Sequence, residues 1–303
     1  MPAPSFSDSP LFDAHPRNFA ANRYVYPVLS RRAGGISIGV NLNLDQFCNF
    51  HCIYCQVDRS QPAEAEFVGL RRLAEELDET IALVVSGRIY EGQKFRHTPP
   101  PLRRLNDIAL SGDGEPTAYV NFEQVVEACA DARRRHGLED VKLVLITNAS
   151  LLHRPHVRRA LVTLDANGGE IWAKLDAGTE EYYRLVARSA VPWRQILGNL
   201  AEAAQTRPIV IQSLWMRVNG EPPPPAELAA YCDRLGEILA GGGKIKLVQV
   251  HTVARKPAEA NVAALASAEV DTIADLVRSR TNLPTAAFYG AEGEERTGLA
   301  QLA

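Results

Sequence analysis

Six short β-rich runs alternating with helical periodicity constrain the fold of this chain more than any other feature. They cover residues 36–42, a run ending at Ile108-Ala109-Leu110, and residues 141–146, 170–175, 209–215 and 245–251. Helical spacing fills the gaps. Leu70, Leu73, Leu77 and Ile81 share one face of a helix over about 66–85. A second helix, capped by Asn121, puts Phe122, Val125, Val126 and Cys129 on a stripe before Gly137 stops it, and Val270, Ile273, Ala274 and Val277 mark a later one. Strand period followed by helix period, repeated, is the pattern of βα units around a parallel sheet. Residues 285–288 add a short final strand, and the proline run 222–225 introduces the fifth helix. Ligands of such sheets bind at the carboxyl ends of the strands. Cys48, Glu115, Asn148, Asp176 and His251 are therefore expected at one rim.

At 303 residues the chain suffices for one large domain, and 46% hydrophobic against 23% charged residues excludes a disordered or fibrous class. The pattern divides it into an N-terminal extension, residues 1–34, packing on the barrel, a partial barrel over 35–290, and a C-terminal tail over 291–303. With 33 basic and 36 acidic side chains the net charge is -3, which gives no general pull toward phosphate backbones. No apolar run approaches eighteen residues, and the N-terminus lacks the basic-then-apolar layout of a secretion signal, so cytoplasmic residence with no membrane partner is expected. Three of the five cysteines fall within eight residues, which suits metal-bound thiolates rather than a disulfide framework.

Those three lie in Cys48-Asn49-Phe50-His51-Cys52-Ile53-Tyr54-Cys55. Thiolates at intervals of four and three residues can wrap three corners of a cubane iron-sulfur cluster, and no fourth cysteine follows nearby to close it. The competing reading is a zinc knuckle whose fourth ligand is His51 or a distant residue, although His51 adjoins Cys52 and competes for space in the same loop. With an aromatic residue before the last cysteine, the stretch resembles the radical S-adenosylmethionine (SAM) superfamily. The resemblance implies a partial (βα)6 TIM-type barrel, one 4Fe-4S cluster on Cys48, Cys52 and Cys55, and SAM chelated at the open iron. It also implies an external one-electron reductant such as flavodoxin or ferredoxin. SAM would be cleaved reductively to methionine and a 5′-deoxyadenosyl radical, which takes hydrogen from an RNA base, peptide or small metabolite. Two alternatives stand beside it: aminocarboxypropyl transfer from SAM by an atypical cluster, and a zinc-stabilised binding module. The order of motifs is similar, more loosely, to the wyosine-precursor synthases that modify a tRNA guanine, but no cysteine precedes Cys48 to build their second cluster.

In Gly112-Asp113-Gly114-Glu115-Pro116-Thr117, two glycines at a strand end let main-chain atoms approach a ligand. The backbone carbonyls and the Glu115 carboxylate are acceptors suited to an ammonium group, and in the family this turn lies along the amino group of SAM. Asp113 departs from the glycine often found there. Lys174 and Asp176 flank Leu175 and so share a strand face, the lysine placed for the SAM carboxylate and the aspartate for the ribose hydroxyls. Their bland alternative is a solvated strand end or the cap of a helix starting near Thr179-Glu180-Glu181. Thr147 and Asn148 offer donors, or simply a turn, at the third strand's end. Tyr54 is expected near adenine, and Gln212 and His251 are weaker candidates on the fifth and sixth strands. Cys129 and Cys232 read as small core residues. Arg31-Arg32 and Arg133-Arg134-Arg135 read as solvated faces or snorkelling stems, and Arg31-Arg32, Arg103-Arg104 and Lys94 are also candidates to border the mouth and hold a phosphate-bearing substrate.

Overall fold

A computed structural model describes residues 19–57, 59, 67–255, 257 and 259–290. In chain order its elements are β1 (Val25–Ser30), β2 (Gly35–Val40), α1 (Leu70–Val85), β3 (Leu105–Leu110), α2 (Phe122–Arg135), β4 (Lys142–Thr147) and α3 (Pro155–Ala166). Then come β5 (Glu170–Lys174), α4 (Glu180–Ala187), α5 (Trp193–Thr206), β6 (Ile209–Trp215), β7 (Arg217–Val218) and α6 (Pro225–Ala240). The last are β8 (Ile245–Thr252), β9 (Val262–Ala263), α7 (Ser267–Thr281) and β10 (Thr285–Phe288). Eight strands form one sheet in the order β1-β2-β3-β4-β5-β6-β8-β10, while β7 and β9 make a separate two-stranded ribbon. Within the eight-stranded sheet every pairing from β2 onward is parallel and β1 alone runs antiparallel, while β7 and β9 pair antiparallel in their own ribbon. The sheet curls far enough that Arg31, in the turn after β1, donates to the carbonyl of Tyr289, just past β10, at 2.8 Å. The six expected βα units are thus present in a partial barrel.

Strand alternation sorts the sheet into two faces. Ile36, Ile38, Ile108, Leu110, Leu143, Leu145, Ile171, Ile209, Ile211, Val248 and Val250 pack outward into the main core with the helices. Inward, Ala109, Val144, Trp172 and Val210 make a small separate apolar layer, joined by Ile146 and Leu247. At one end of this layer, Glu170 ties together Lys142 and Lys246 at 2.9 and 2.6 Å. Burial opposes that carboxylate's charge, but hydrogen bonds from Lys246, Lys142 and Trp172 outweigh it and hold its pKa at about 2. The opposite end carries the polar groups of the candidate site.

Three sequence expectations need correction. Residues 1–34 show no clear periodicity, yet 25–30 form the edge strand β1, where Pro27 is tolerated because one side of an edge strand needs no donor. Its entry is secured by Glu76, a buried carboxylate on α1 that accepts from the backbone amides of Arg23, Tyr24 and Val25 at 2.9, 2.8 and 3.1 Å. Leu70 opens α1 and remains 37% exposed while Leu73, Leu77 and Ile81 are buried, because the helix begins there rather than a turn earlier. Arg133 is buried rather than solvated, its guanidinium donating to the Val141 and Glu139 carbonyls in the turn after α2. Asn121 holds the N-cap position of α2 without a side-chain bond, whereas Thr179 caps α4 through Tyr182 N. Cys129 and Cys232 are buried in the main core. Residues 1–18 and 291–303 lie outside the described residues.

Candidate active site

The cysteine loop leaves β2 and is pinned by its backbone to the far side of the barrel. His51 N and Ile53 N donate to the Ala187 and Val186 carbonyls at 2.9 and 3.0 Å, using acceptors that the C-terminal turn of α4 leaves free. Ser189 Oγ donates to Asn49 O at 2.7 Å, and Phe50 packs edge-on against Tyr183. So anchored, Cys48, Cys52 and Cys55 are half-buried, free of disulfides, and line one cavity of about 340 Å³. His51 points to solvent and does not line it, so nothing in its placement favours a Cys3His zinc site. Among the described residues no three His, Cys, Asp or Glu side chains converge closely enough for a single ion.

The thiols differ in acidity. Burial pushes Cys48 up and Cys52 up to about 12. Burial also opposes ionisation of Cys55, but the Val57 amide and Arg59 outweigh it and hold the thiol below its ordinary range. Arg59 was not apparent in the sequence. Its guanidinium donates to Cys55 Sγ and Asp113 O, both at 3.1 Å, and to Gln46 O at 3.2 Å, bridging the two ends of the cysteine loop and the glycine turn. A basic residue four positions after the last cysteine was the available signal.

The glycines of the 112–117 turn are required by proximity, since neither has a positive φ. A Cβ on Gly112 would stand 2.1 Å from Asn41 Oδ1, and one on Gly114 would stand 2.0 Å from Phe47 O. Asp113 and Asn41 exchange two hydrogen bonds at this seam, 3.1 and 2.5 Å. Glu115 is committed internally: it accepts from Thr117 N and Oγ1, Thr147 Oγ1 and Asn148 N at 2.6 to 3.1 Å. Burial pushes its pKa up against those bonds. Its carboxylate therefore straps the ends of β3 and β4 together, with Oε1 taking three of the four bonds and Oε2 only that from Asn148 N. Asn148 extends the strap to Asn49 Oδ1 at 2.8 Å, with Cys48 Sγ at 3.9 Å.

Lys174 lines the cavity and donates to Tyr54 Oη at 3.1 Å, lying over the Tyr54 ring at 4.9 Å. Burial would lower its pKa, but Asp176 and the three cysteines hold it above the usual lysine value. Asp176 corrects an expectation. It does not line the main cavity, because its carboxylate accepts from Tyr54 Oη and, at 2.8 Å, from Leu214 N. It positions Tyr54 rather than facing a ligand. Gln212 and Gln249 pair across β6 and β8 at 2.8 Å, which leaves the fully buried Gln212 Oε1 without a partner among the described residues. His251 also lines the cavity, its Nδ1 3.3 Å from Gln249 O, and burial with Arg32 and Lys174 drives its pKa well down. Tyr54, Gly112, Asp113, Gly114, Glu115, Thr147, Asn148, Lys174, Gln212 and His251 thus come together with the cysteines around one cavity, and Asp176 stands behind it. Arg31 and Arg32 join them, whereas Lys94, Arg103 and Arg104 do not: Lys94 donates to Pro27 O at 3.1 Å, and Arg103 and Arg104 bond loop carbonyls.

A family model, the radical SAM superfamily, matches residues 42–217, more than half of the chain and the span from the cysteine loop through β6. The chain belongs to the radical SAM superfamily. A solved radical SAM methyltransferase from Sphaerobacter thermophilus has the same fold, with TM-score 0.57 at 13% identity over 90% of this chain and 72% of that one. Archaeal TYW1 gives TM-score 0.48 at 13% identity, covering 81% of this chain and 72% of that one. A UPF0026 protein of Methanocaldococcus jannaschii is 28% identical over 165 residues, 54% of this chain and 43% of its own length. A UPF0026 protein of Helicobacter pylori is 28% identical over 140 residues, 46% of this chain and 39% of its own. The matched region thus spans less than half the length of these curated relatives. No helix among the described residues is long and apolar enough to cross a membrane.

The residues present fit the groups such a family implies. Three unbridged thiols share a cavity large enough for a nucleoside-sized ligand. Gln212, whose buried Oε1 has no partner among the described residues, lines the same cavity, and the glycine turn brings bare backbone to its wall.

Proposed function

We propose that this protein cleaves SAM reductively, with one 4Fe-4S cluster held by Cys48, Cys52 and Cys55. The observation that carries the proposal is the convergence of those three thiols, the 112–115 backbone, Lys174 and the unpartnered Gln212 Oε1 on one cavity. When bound, the cluster would supply an electron to SAM, yielding methionine and a 5′-deoxyadenosyl radical. The chain's own residues do the rest. Backbone carbonyls of 112–114 accept from the SAM ammonium, and the spare Lys174 donors meet its carboxylate. Tyr54, fixed by Asp176 and Lys174, offers a ring face for adenine, and Gln212 Oε1 accepts from the nucleoside. The curled sheet would enclose the bound groups, and the radical chemistry they supply would remove a hydrogen atom from substrate. An external reductant of the flavodoxin or ferredoxin class would provide the electron.

The test is product analysis on anaerobically reconstituted protein with dithionite. Deoxyadenosine is expected from the unmodified chain and none from Cys52→Ala. Deoxyadenosine formation by that variant would refute the proposal, and methylthioadenosine in its place would assign aminocarboxypropyl transfer.

A further inference from the structure

The cavity extends past the SAM-facing wall to the inward apolar layer, where Arg31, Arg32, Ser37, Asp107 and Trp172 line it. Most cations along the cavity are already engaged. Arg59 bonds Cys55 and two carbonyls, Lys174 bonds Tyr54, Arg31 bonds Tyr289 O, and Arg255 also has a partner. Arg32 differs. Its guanidinium lies over the Trp172 ring at 5.9 Å and makes no hydrogen bond or ion pair among the described residues. Asp107 is the carboxylate whose charge it senses, but no ion pair joins the two, and Asp107 instead accepts from Ser37 Oγ. Burial, with Arg31 and Arg255 nearby, lowers the Arg32 pKa to about 10, so the group remains cationic at neutral pH in surroundings that disfavour a lone positive charge. A half-buried guanidinium over an aromatic ring, with its donors unspent among the described residues, is held ready for an oxyanion. Its planar fork suits a carboxylate or a phosphate through two parallel hydrogen bonds.

We propose that Arg32, backed by Trp172, is the substrate subsite of this cavity, and that it takes the phosphate or carboxylate group of a small anionic substrate. The subsite depends on the proposed radical chemistry for its role, not for its ability to bind an anion. Of the basic residues that the sequence offers for an anionic substrate, only Arg31 and Arg32 reach the cavity, and Arg31 is spent on Tyr289. An oxyanion at Arg32 would anchor one end of the substrate at the apolar layer and leave the other end toward the thiols.

The test is calorimetry on the anaerobically reconstituted full chain, with inorganic phosphate in one arm and malonate in the other, at ionic strength fixed by chloride. Saturable binding of at least one probe is expected, and the preferred probe tells phosphoryl from carboxyl substrates. Arg32→Gln should weaken it about tenfold or more, equivalent to ~1.4 kcal/mol. Arg32→Lys, which keeps the charge and loses the fork, should weaken it less. Tryptophan fluorescence should change on binding and lose that response in Trp172→Phe. No saturable binding of either probe, or equal binding by Arg32→Gln, overturns the subsite. Deoxyadenosine formation is assayed on the same preparation. Oxyanion binding at Arg32 without SAM cleavage upholds the subsite and removes the proposed function, whereas SAM cleavage without oxyanion binding overturns the subsite alone.

Discussion

The two faces of the curled sheet are built from the same strands, one residue out of step, and they are chemically opposite. On β6, Ile211 faces the helices and is fully buried in the main core, while Gln212, next in the chain, faces the cavity with an unpartnered oxygen. On β5, Ile171 and Ala173 face outward, while Trp172 and Lys174 face inward. The outward face is close to uniform because helices cover all of it, and its stability comes from removing apolar area from water. Polar groups held by hydrogen bonds share the inward face with its apolar layer, and among the described residues Gln212 Oε1, and Arg32 beside that face, have no hydrogen-bond partner, which is why ligands are assigned to them. Stability and recognition are thus separated by a single step in register.

Adjacent substitutions break or confirm that division. Ile211→Ala should cost roughly 2–5 kcal/mol of unfolding free energy, because it opens a cavity in a close-packed core. Gln212→Ala should cost less, roughly 1–3 kcal/mol, because the Oε1 it removes is already unpartnered while the Nε2 it removes leaves the buried Gln249 Oε1 without its donor, and it should weaken SAM binding by about tenfold, the loss of one good hydrogen bond. Urea denaturation and SAM calorimetry on both variants decide the matter. If Gln212→Ala proves the more destabilising, the inward face is a structural core and the comparison fails.

Legibility in the sequence follows the same line. The parallel strands were readable because strand and helix periods alternate cleanly, and the cysteine loop because three like residues share a short span. Glu115, Asn148, Asp176 and His251 were placed on the rim by the parallel-sheet pattern, and the glycine turn was given its role by the family resemblance. Partnership was not readable. Glu115 looks like a free acceptor in a linear motif, yet Thr117, Thr147 and Asn148 occupy much of its carboxylate, and Asp176 is bonded by Tyr54 and Leu214. Neither partner set lies wholly within its own motif, so local pattern could not disclose it. Strand β1 was hidden for a related reason: its anchoring carboxylate, Glu76, lies on a helix some fifty residues later. Arg32 stood out only as one of several arginines until the others were found bonded elsewhere.

The inward face should also leave a mark on the pH dependence of stability. Burial raises Asp107 to about 6 despite the hydrogen bond from Ser37 and the positive charges of Lys142 and Arg32, with Glu170 adding to the rise. A carboxyl whose folded pKa exceeds its unfolded value near 3.9 stabilises the fold in its protonated form. That contribution is complete below about pH 4 and is lost as pH rises through about 6, because the unfolded chain releases the proton first. Asp107→Asn should therefore gain stability relative to the unmodified chain between pH 4 and 7, by on the order of 2 kcal/mol. Denaturant midpoints across that range test the sign. A relative loss would show that the Asp107 charge is compensated within the fold and that Arg32 is less available than its geometry indicates.

The smallest effect bears on the rim, where the inward face meets the cysteine loop. Arg59 reaches Cys55 Sγ while, among the described residues, no cation is bonded to Cys48 or Cys52, and Cys55 is the thiol held below its ordinary range. Arg59→Gln removes the charge-assisted donor, so the fraction of Cys55 present as thiolate at a fixed pH near 8 must fall. Iodoacetamide should then alkylate Cys55 a few-fold more slowly in the metal-free variant than in the metal-free unmodified chain, and peptide mapping assigns the label. Thiolate nucleophilicity rises with thiol pKa and offsets part of this change, which is why only a few-fold is expected. Cys48 and Cys52, pushed up by burial, should label slowly in both proteins. Equal labelling of all three would mean that the loop relaxes without metal and that Arg59 acts on the assembled site alone. A slowing confined to Cys55 would show that the asymmetry among the thiols is written into the chain itself.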